Sequence, residues 1–184
     1  YFAPQSKAPI HELVFVGNLS YEPNVDAASF LVNEVMPLVW MRRPEVKLLL
    51  AGTSPNSRVM GLKEKRVMVS GWMPDIRQAY ASGKVFVAPL FTGAGLQNKL
   101  LEAMSMQLPC ITTPLVNESL NALPEKEVLI AKDAQEFATC ILKCLTQQPY
   151  STELGERARS FILSKYGWEK ANAPLLQRVR EQIH

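Results

Sequence analysis

The sequence predicts an α/β fold, a Rossmann-like, doubly wound parallel sheet of about six strands with helices on both faces. Three observations support this fold class. Short apolar runs alternate with segments of helical pattern along the chain. The runs are continuously apolar rather than alternating, which is typical of strands that are buried on both faces of a parallel sheet. Several runs end in glycine, which suits a tight turn out of a strand.

Six apolar runs are the predicted strands, and they cover residues 13–17, 46–52, 66–71, 85–89, 109–113 and 128–131. In such a sheet, ligands bind beyond the carboxyl ends of the strands, where the strand order reverses. The glycines that follow strand ends therefore lie on the predicted functional edge, and they are Gly17, Gly52, Gly71, Gly93 and Gly95. Tight turns alone also explain such glycines, and for Gly52 we favour that simpler explanation.

Helices are predicted between and after these strands. Asn24 is expected to cap the first helix, which starts one residue later and which Pro37 should kink. Pro74 is expected to open a short helix. Asp133 and Glu136 have the spacing of a capping box. The predicted helical segments after the first helix are 58–62, 74–82, 98–107, 133–145, 151–166 and 168–184.

Bulk composition limits the function classes. The chain has 184 residues, of which 47% are hydrophobic and 20% are charged, with a net charge of +3. The charge is small and scattered, which argues against a nucleic-acid partner. No apolar run approaches the roughly 18 residues of a transmembrane segment. We expect residues 1–10 to form a linker and residues 11–184 to form a single domain.

The three cysteines indicate the cellular compartment of the protein and do not indicate a metal site. Cys110, Cys140 and Cys144 match no disulfide framework, so we expect buried, reduced thiols in a cytoplasmic protein. Cys140 and Cys144 are one helical turn apart, but a metal site there would need two further ligands, and the only histidines are His11 and His184.

The segment from residue 88 to residue 113 carries the strongest functional signal. A strand ends, a loop with Gly93 and Gly95 follows, and a helix begins near Asn98. The first turn of a helix has unpaired backbone N–H groups and a partial positive charge, and glycines let a phosphate approach that backbone. Lys99 adds a full positive charge in this turn, which is reasonable if an anion binds there. A solvated lysine is the alternative.

Glu102 lies one turn deeper on the same helix face as Asn98, among apolar neighbours. A carboxylate beside a phosphate site can accept hydrogen bonds from the two vicinal hydroxyl groups of a ribose. A solvated surface glutamate is the alternative. The chain contains neither the dinucleotide-binding pattern Gly-x-Gly-x-x-Gly nor a phosphate-binding P-loop, which argues against both of those site types.

The stretch GAGLQNKLLEAMSMQLPCI resembles the C-terminal domain of the family 4 glycosyltransferases, which are retaining enzymes of the GT-B type. Further segments resemble the same family in order, and they are FVGNLSYEPNVDAASFLVNEVMPLV, KLLLAG, VSGWMPDIRQAYASGKVFVAPL and YGWEKANAPLLQRV. This ordered series covers nearly the whole chain and is more specific than any single motif. The likeness is greatest to bacterial sugar transferases with Gln-Asn-Lys before Glu-Ala-Met. It implies one half of a GT-B enzyme, without the N-terminal acceptor domain.

The resemblance implies roles for the residues at the start of the predicted helix. Glu102 would hold the ribose hydroxyl groups, and the backbone amides around Leu96, Gln97 and Asn98 would hold the diphosphate. Lys99 starts the same helix and would supply a cation for the leaving diphosphate. Glu102 and Lys99 are therefore the predicted catalytic residues.

Elsewhere in the implied donor site, backbone near Trp72 and Met73 would contact the base, and Gly17 would line the site. The sequence departs from the family pattern in three ways. Ala94 stands where the family usually has a glutamate that contacts the donor sugar, and Asn18 stands where an arginine often follows the first glycine. The family also often has a lysine a few residues later, whereas here no lysine follows before Lys47. These departures leave the donor sugar and the level of activity open.

The implied reaction transfers a sugar from a nucleotide-sugar, such as a UDP- or GDP-sugar, to a sugar or lipid-linked acceptor with retention at the anomeric carbon. The chain has three aspartates and no Asp-x-Asp pair, so we expect neither a metal nor any other cofactor. Helix N–H groups and a cation would then meet the charge on the departing diphosphate.

Two alternative functions stay open, a nucleotide-sugar epimerase and a non-catalytic nucleotide-binding or interaction module. A flavodoxin-like receiver domain is excluded because no acidic cluster follows the strands. We expect the full-length protein to act in the cytoplasm, with the inner face of the membrane as an alternative location. We expect this chain alone to transfer no sugar, because its own N-terminal acceptor domain would be missing.

Overall fold

Six parallel strands form the central sheet. They are β1 (His11–Val16), β2 (Leu48–Ala51), β3 (Val67–Gly71), β4 (Gly83–Ala88), β5 (Cys110–Thr112) and β6 (Leu129–Ile130). Their order in the sheet is β3-β2-β1-β4-β5-β6, which is the doubly wound order of a Rossmann-like fold. The computed structural model describes residues 2–5, 8–93 and 95–166 of the chain. The predicted fold class is confirmed.

Helices cover both faces of this sheet. They are α1 (Glu22–Phe30), α2 (Met36–Trp40), α3 (Ser57–Met60), α4 (Arg77–Ala81), α5 (Asn98–Ser105), α6 (Pro114–Leu120), α7 (Ala134–Thr146) and α8 (Gln148–Tyr166), with a π-helical turn between α1 and α2 (Leu31–Val35). Because crossovers between parallel strands are right-handed, α1 to α3 lie on one face and α4 to α6 on the other. α7 contacts α2 on the first face, and α8 contacts α5 on the second.

Burial follows the position of each strand in the sheet. All four residues of β2 are buried, as are nearly all of those in β1 and β4, which agrees with their continuous apolar sequence. β3 differs because it is an edge strand. Its Val67 and Val69 are buried, whereas Met68 is 50% exposed and Ser70 is exposed. The prediction that every strand is covered on both faces is therefore wrong for β3.

The first helix begins earlier than its predicted start. α1 starts at Glu22 with Tyr21 as its N-cap, because Pro23 fits the first helical turn, where a missing N–H leaves no hydrogen bond unmade. The predicted cap, Asn24, instead lies inside this turn and is buried. Pro37 follows the π-helical turn, so the regular α-helix is interrupted before this proline, as predicted.

Two later helices also differ from expectation. α4 begins at Arg77 rather than at Pro74, and the side chain of Asp75 accepts a hydrogen bond from the Arg77 backbone N–H at 3.0 Å. The apolar pattern does not predict α6 at all. The side chain of Thr113 caps this helix by accepting a hydrogen bond from the Val116 backbone N–H at 3.4 Å.

The predicted capping of α7 is confirmed, because Asp133 accepts a hydrogen bond from the Glu136 backbone N–H at 2.8 Å. The Glu136 carboxylate accepts a hydrogen bond from the backbone N–H of Lys132, whereas in a capping box it would accept from the N-cap residue, Asp133. The three cysteines are free, and Cys110 and Cys144 are buried. Ala94 and the predicted helix 168–184 lie outside the described residues.

The residues before β1 are the predicted linker. Residues 2–5 and 8–10 contain neither helix nor strand. The division into linker and domain stays a prediction. In the part of the chain that the structure describes, no helix has the length and apolar character needed to cross a membrane.

Candidate functional site

The turns that follow β1, β2 and β3 form one continuous edge of the sheet. The Gly17 backbone N–H donates to the Ala51 carbonyl at 3.0 Å, and the Gly52 N–H donates to the Gly71 carbonyl at 3.3 Å. The strand order reverses between β1 and β4, so the crevice for a ligand lies beyond the carboxyl ends of these two strands. The turn at Gly17 and the loop before α5 border this crevice.

Two of the turn glycines approach each other closely. Gly52 has a φ of +141°, and a Cβ atom there would lie 1.7 Å from the carbonyl oxygen of Gly17. Only glycine fits this position, which supports the structural explanation for Gly52. A Cβ atom on Gly17 would lie 2.9 Å from Nδ2 of Asn24. The turn after β1 is therefore packed tightly on both of its sides.

The loop before α5 is open to solvent. Gly93 and Gly95 have φ values of +97° and +90°, and Leu96 is 39% exposed. Gln97 is the N-cap of α5 but makes no side-chain cap hydrogen bond, and its amide instead donates to the Gly95 carbonyl at 3.3 Å. A helix start without a side-chain cap leaves backbone N–H groups available to an anion. The predicted diphosphate cradle, which includes Asn98, is thus accessible.

Lys99 reaches from α5 to the first turn of α1. Its Nζ donates to Oδ1 of Asn24 and lies 5.4 Å from the centre of the Phe15 ring in β1. The side chain is half-buried, and desolvation lowers the pKa of Lys99 to about 8, although the charge of Glu102 acts in the opposite direction. The alternative of a freely solvated lysine is therefore wrong.

Glu102 is also half-buried and has a fixed partner. Its Oε2 accepts a hydrogen bond from the hydroxyl of Tyr80 at 2.7 Å. Tyr80 comes from α4 and is fully buried, and this burial, together with the charge of Glu102, raises its pKa. Among the residues that the structure describes, Oε1 of Glu102 has no hydrogen-bond partner. The carboxylate is thus oriented rather than freely solvated, and it keeps one oxygen for a ligand.

Asn24 links the start of α5 to the turn after β1, and these two segments are the walls of the crevice. Besides accepting from Lys99, its amide donates from Nδ2 to the Asn18 carbonyl at 2.8 Å, and the residue is only 4% exposed. Sequence reasoning missed this role, as it missed the role of Tyr80. The available signal was a polar residue at a position that the apolar pattern of α1 buries.

The side chain of Asn18 is committed to its own turn. Its Oδ1 accepts hydrogen bonds from the backbone N–H and the hydroxyl of Ser20, at 3.0 and 2.8 Å. This is an Asx-type turn, which fixes the backbone after Gly17. Asn18 therefore shapes the crevice wall through its backbone and contributes no positive charge.

The residues expected to contact the base lie farther along the same edge. Trp72 is 69% exposed, and Met73 is half-buried against the core. Both follow β3, which β2 separates from β1. The structure thus brings Gly17, Lys99 and Glu102 to one crevice and places Trp72 and Met73 at the end of the sheet edge, beyond β2.

Comparison with known proteins bears on the family and the fold of this chain. A family model described as "Glycosyl transferases group 1" matches residues 10–147. A Klebsiella pneumoniae protein, described as an uncharacterized 44.6 kDa protein in the cps region, is 26% identical in an alignment 167 residues long. The match covers 86% of this chain and 43% of that protein. This chain therefore spans less than half the length of that relative.

Solved structures show the same fold at low sequence identity. The C-terminal domain of LpcC, a group 1 glycosyl transferase from Francisella tularensis, matches with a TM-score of 0.69 and 14% identity, over 91% of this chain and 96% of that one. The pneumococcal O-GlcNAc transferase GtfA, in complex with UDP and GlcNAc, matches with a TM-score of 0.77 and 17% identity, over 100% of this chain and 38% of that one. The shared fold is one half of the GT-B architecture.

Proposed function

Because the chain belongs to the group 1 glycosyl transferases, we propose that it is the donor-binding domain of a retaining, metal-independent sugar transferase of family 4. It binds a nucleotide-sugar, and another part of the full-length protein binds a sugar or lipid-linked acceptor. One observation carries this proposal. Lys99 on α5 donates to Asn24, whose amide donates to the Asn18 carbonyl in the turn after β1, and Glu102 lies three residues farther along the same helix. The strand order reverses beside this turn, between β1 and β4.

The donor is held by groups of two kinds. The backbone amides of Leu96, Gln97 and Asn98 hold the diphosphate at the uncapped start of α5, where the partial charge of the helix is positive. Glu102 accepts hydrogen bonds from the ribose hydroxyl groups, with Tyr80 fixing its other oxygen. These contacts orient the nucleotide and leave the sugar beside the loop that contains Gly93.

Catalysis in this proposal is electrostatic. When the bond between the anomeric carbon and the diphosphate breaks, negative charge grows on the departing oxygen. The Lys99 ammonium and the α5 amides stabilise that charge, and they are already in place before the reaction. Because these groups supply the positive charge, the proposed reaction needs no divalent cation. The acceptor hydroxyl enters on the face from which the diphosphate leaves and gives its proton to the departing phosphate oxygen. The new bond to the anomeric carbon therefore forms on the same face, which retains the anomeric configuration.

A second candidate function is a non-catalytic nucleotide-binding module. The observation in its favour is Asn18, whose side chain is engaged by Ser20, so that the first turn supplies no cation to the diphosphate. Turnover measured on the full-length protein separates the two functions, because only the transferase consumes donor. Interconversion of the donor sugar in the absence of an acceptor would instead indicate an epimerase.

Nucleotide binding by this chain tests the proposal directly. Thermal unfolding is measured with UDP, GDP, ADP and TDP, each at a millimolar concentration. A Kd of about 0.1 mM would stabilise the fold by about 1.4 kcal/mol, which raises the Tm by about 3–5 °C for a domain of this size. The absence of a shift with all four nucleotides would count against the site.

A further inference from the structure

We propose that Asn24 is a positioning residue for the diphosphate site, which holds the Lys99 ammonium at the crevice and ties the turn after β1 to the start of α5. The inference rests on the proposed function, since it concerns the construction of the same site. Nothing in the sequence pattern requires a buried amide at this position of α1.

Both side-chain hydrogen bonds of Asn24 lead to crevice walls. Oδ1 accepts from Lys99 on α5, and Nδ2 donates to the Asn18 carbonyl at 2.8 Å. The polar atoms of a buried amide need hydrogen-bond partners, and the two partners here, Asn18 and Lys99, are far apart in the chain. A Cβ atom on Gly17 would lie 2.9 Å from Nδ2, so the amide has little room to turn away.

The surroundings of Lys99 impose costs that a bound anion would offset. Burial disfavours an ammonium, and a cation in the first turn of a helix opposes the helix dipole. The described groups around its Nζ are the Phe15 ring on β1, Asn24 on α1 and the Glu102 carboxylate on its own helix. An ammonium has three N–H donors and Asn24 uses one of them. A diphosphate in the crevice would relieve both costs.

The choice of a neutral amide matters for this role. A carboxylate at position 24 would hold Lys99 at least as firmly, but it would neutralise the cation and repel a diphosphate. An amide fixes the ammonium without cancelling its charge. Asn24→Asp keeps an acceptor for Lys99 but loses the Nδ2 donor to the Asn18 carbonyl, so its affinity is read together with its unfolding temperature. If this variant folds, a purely structural role predicts unchanged affinity, whereas positioning for an anion predicts weaker binding.

The experiment measures the affinity of the wild-type chain for UDP, GDP, ADP and TDP and follows the tightest of these in the variants. Asn24→Ala and Asn24→Asp are expected to weaken binding by about 10- to 100-fold, the range for a hydrogen bond to a charged group. In a Lys99→Met background, Asn24→Ala should have a much smaller effect than in the wild type, because the hydrogen bond from Lys99 is already gone and only the one to the Asn18 carbonyl is lost. Asn117→Ala is the matched control, since Asn117 also bridges backbone groups but lies outside the crevice.

A pH series provides a readout that packing alone would not change. In the wild type, affinity should fall as the pH rises through about 8, because Lys99 then loses its proton. In Asn24→Asp, the carboxylate raises the pKa of Lys99, so this fall should move to higher pH. Unfolding temperatures without ligand show which variants are folded, and Asn24→Asp and Lys99→Met carry the test if Asn24→Ala does not fold.

The outcomes distinguish this inference from the proposed function. If a diphosphate binds the wild type and binds folded Asn24→Asp equally well or more tightly, Asn24 is a structural residue and the inference is overturned. The same conclusion follows if Asn24→Ala weakens binding as much in the Lys99→Met background as in the wild type. If no nucleoside diphosphate binds the wild type, the proposed donor site itself fails, and this inference fails with it.

Discussion

At the crevice, two oppositely charged residues of one helix turn each have a neutral hydrogen-bond partner. Lys99 donates to the Asn24 amide, and Glu102 accepts from the Tyr80 hydroxyl at 2.7 Å. Neutral partners hold the two side chains in place without removing their charges. The ammonium and the carboxylate therefore stay available to a ligand that carries a phosphate at one end and hydroxyl groups at the other.

The substitution Glu102→Gln tests whether the Glu102 carboxylate contributes to nucleotide binding. The amide oxygen can still accept from Tyr80, so the fold should be retained, whereas the hydrogen bonds to ribose lose their charged acceptor. Binding of a nucleoside diphosphate should weaken about 10- to 100-fold, as measured by titration calorimetry. Glu127→Gln is the matched control, because Glu127 accepts a backbone hydrogen bond from Leu123 outside the crevice. Equal affinities for the wild type and Glu102→Gln would remove Glu102 from the site.

His11, at the start of β1, predicts a pH dependence of stability that is separate from the site. It is 7% exposed, and its Nδ1 has no hydrogen-bond partner in the part of the chain that the structure describes. Desolvation lowers its pKa, and the charge of Lys47 lowers it further, while Glu12 acts in the opposite direction. The unfolded chain therefore binds a proton more readily, and stability should be lost as the pH falls from about 6.5 through the folded-state pKa.

Urea unfolding at pH 7 and pH 5 measures this effect. The wild type should lose more free energy of unfolding between the two values than His11→Gln, which has no titrating group at this position. The two proteins differ only at position 11, so the difference between their losses isolates His11. Identical losses in the two proteins would show that His11 is protonated equally in the folded and unfolded states.

At the scale of elements, the sequence predicts those features that depend on neighbouring residues. The start of α5 at Asn98 is where the glycine loop and the apolar pattern place it, and Asp133 caps α7 as its spacing predicts. α6 also carries a local signal, a threonine followed by proline at the first helical position, but its apolar pattern is too short to indicate a helix. The sequence could signal a buried polar residue at Asn24, but it could not identify the partners of Asn24 and Tyr80 on α5, because these are distant in sequence.

The start of α5 is also the reason that we expect a metal-independent site. Its uncapped amides and Lys99 provide positive charge for a diphosphate. We therefore expect EDTA to leave nucleotide affinity unchanged, as measured by the Tm shift or by calorimetry. The matched measurement adds magnesium or manganese in excess to the chelated protein. A loss of affinity with EDTA that either ion restores would overturn the proposal of a metal-independent site.

For the whole molecule, the sequence indicates a doubly wound parallel sheet of about six strands correctly, because each strand is a separate apolar run between helical segments. It does not indicate that one face of β3 is open, because burial at a sheet edge depends on which helices cover it. Met68 is apolar in sequence and half-exposed in the fold. The position of the crevice follows from topology, whereas the hydrogen bonds inside it follow from packing.

We expect this chain by itself to bind a nucleotide yet transfer no sugar. In the proposed function the crevice holds the donor, and this chain covers only 43% of the length of its Klebsiella relative and 38% of that of GtfA. In the GT-B architecture, the acceptor is expected on the other half. Holding donor and acceptor together in a reactive geometry contributes about 7–11 kcal/mol to lowering a barrier. Without that contribution, transfer should be too slow to detect.

Transfer is measured with radiolabelled UDP- and GDP-sugars and a panel of sugar and lipid-linked acceptors, using the full-length protein as the positive control. Release of free sugar must be measured separately, because water can enter an open crevice and hydrolyse the donor without an acceptor site. Hydrolysis therefore does not decide the question, whereas a labelled acceptor product does. Formation of that product by this chain alone would place the acceptor site within these 184 residues and refute the two-domain proposal.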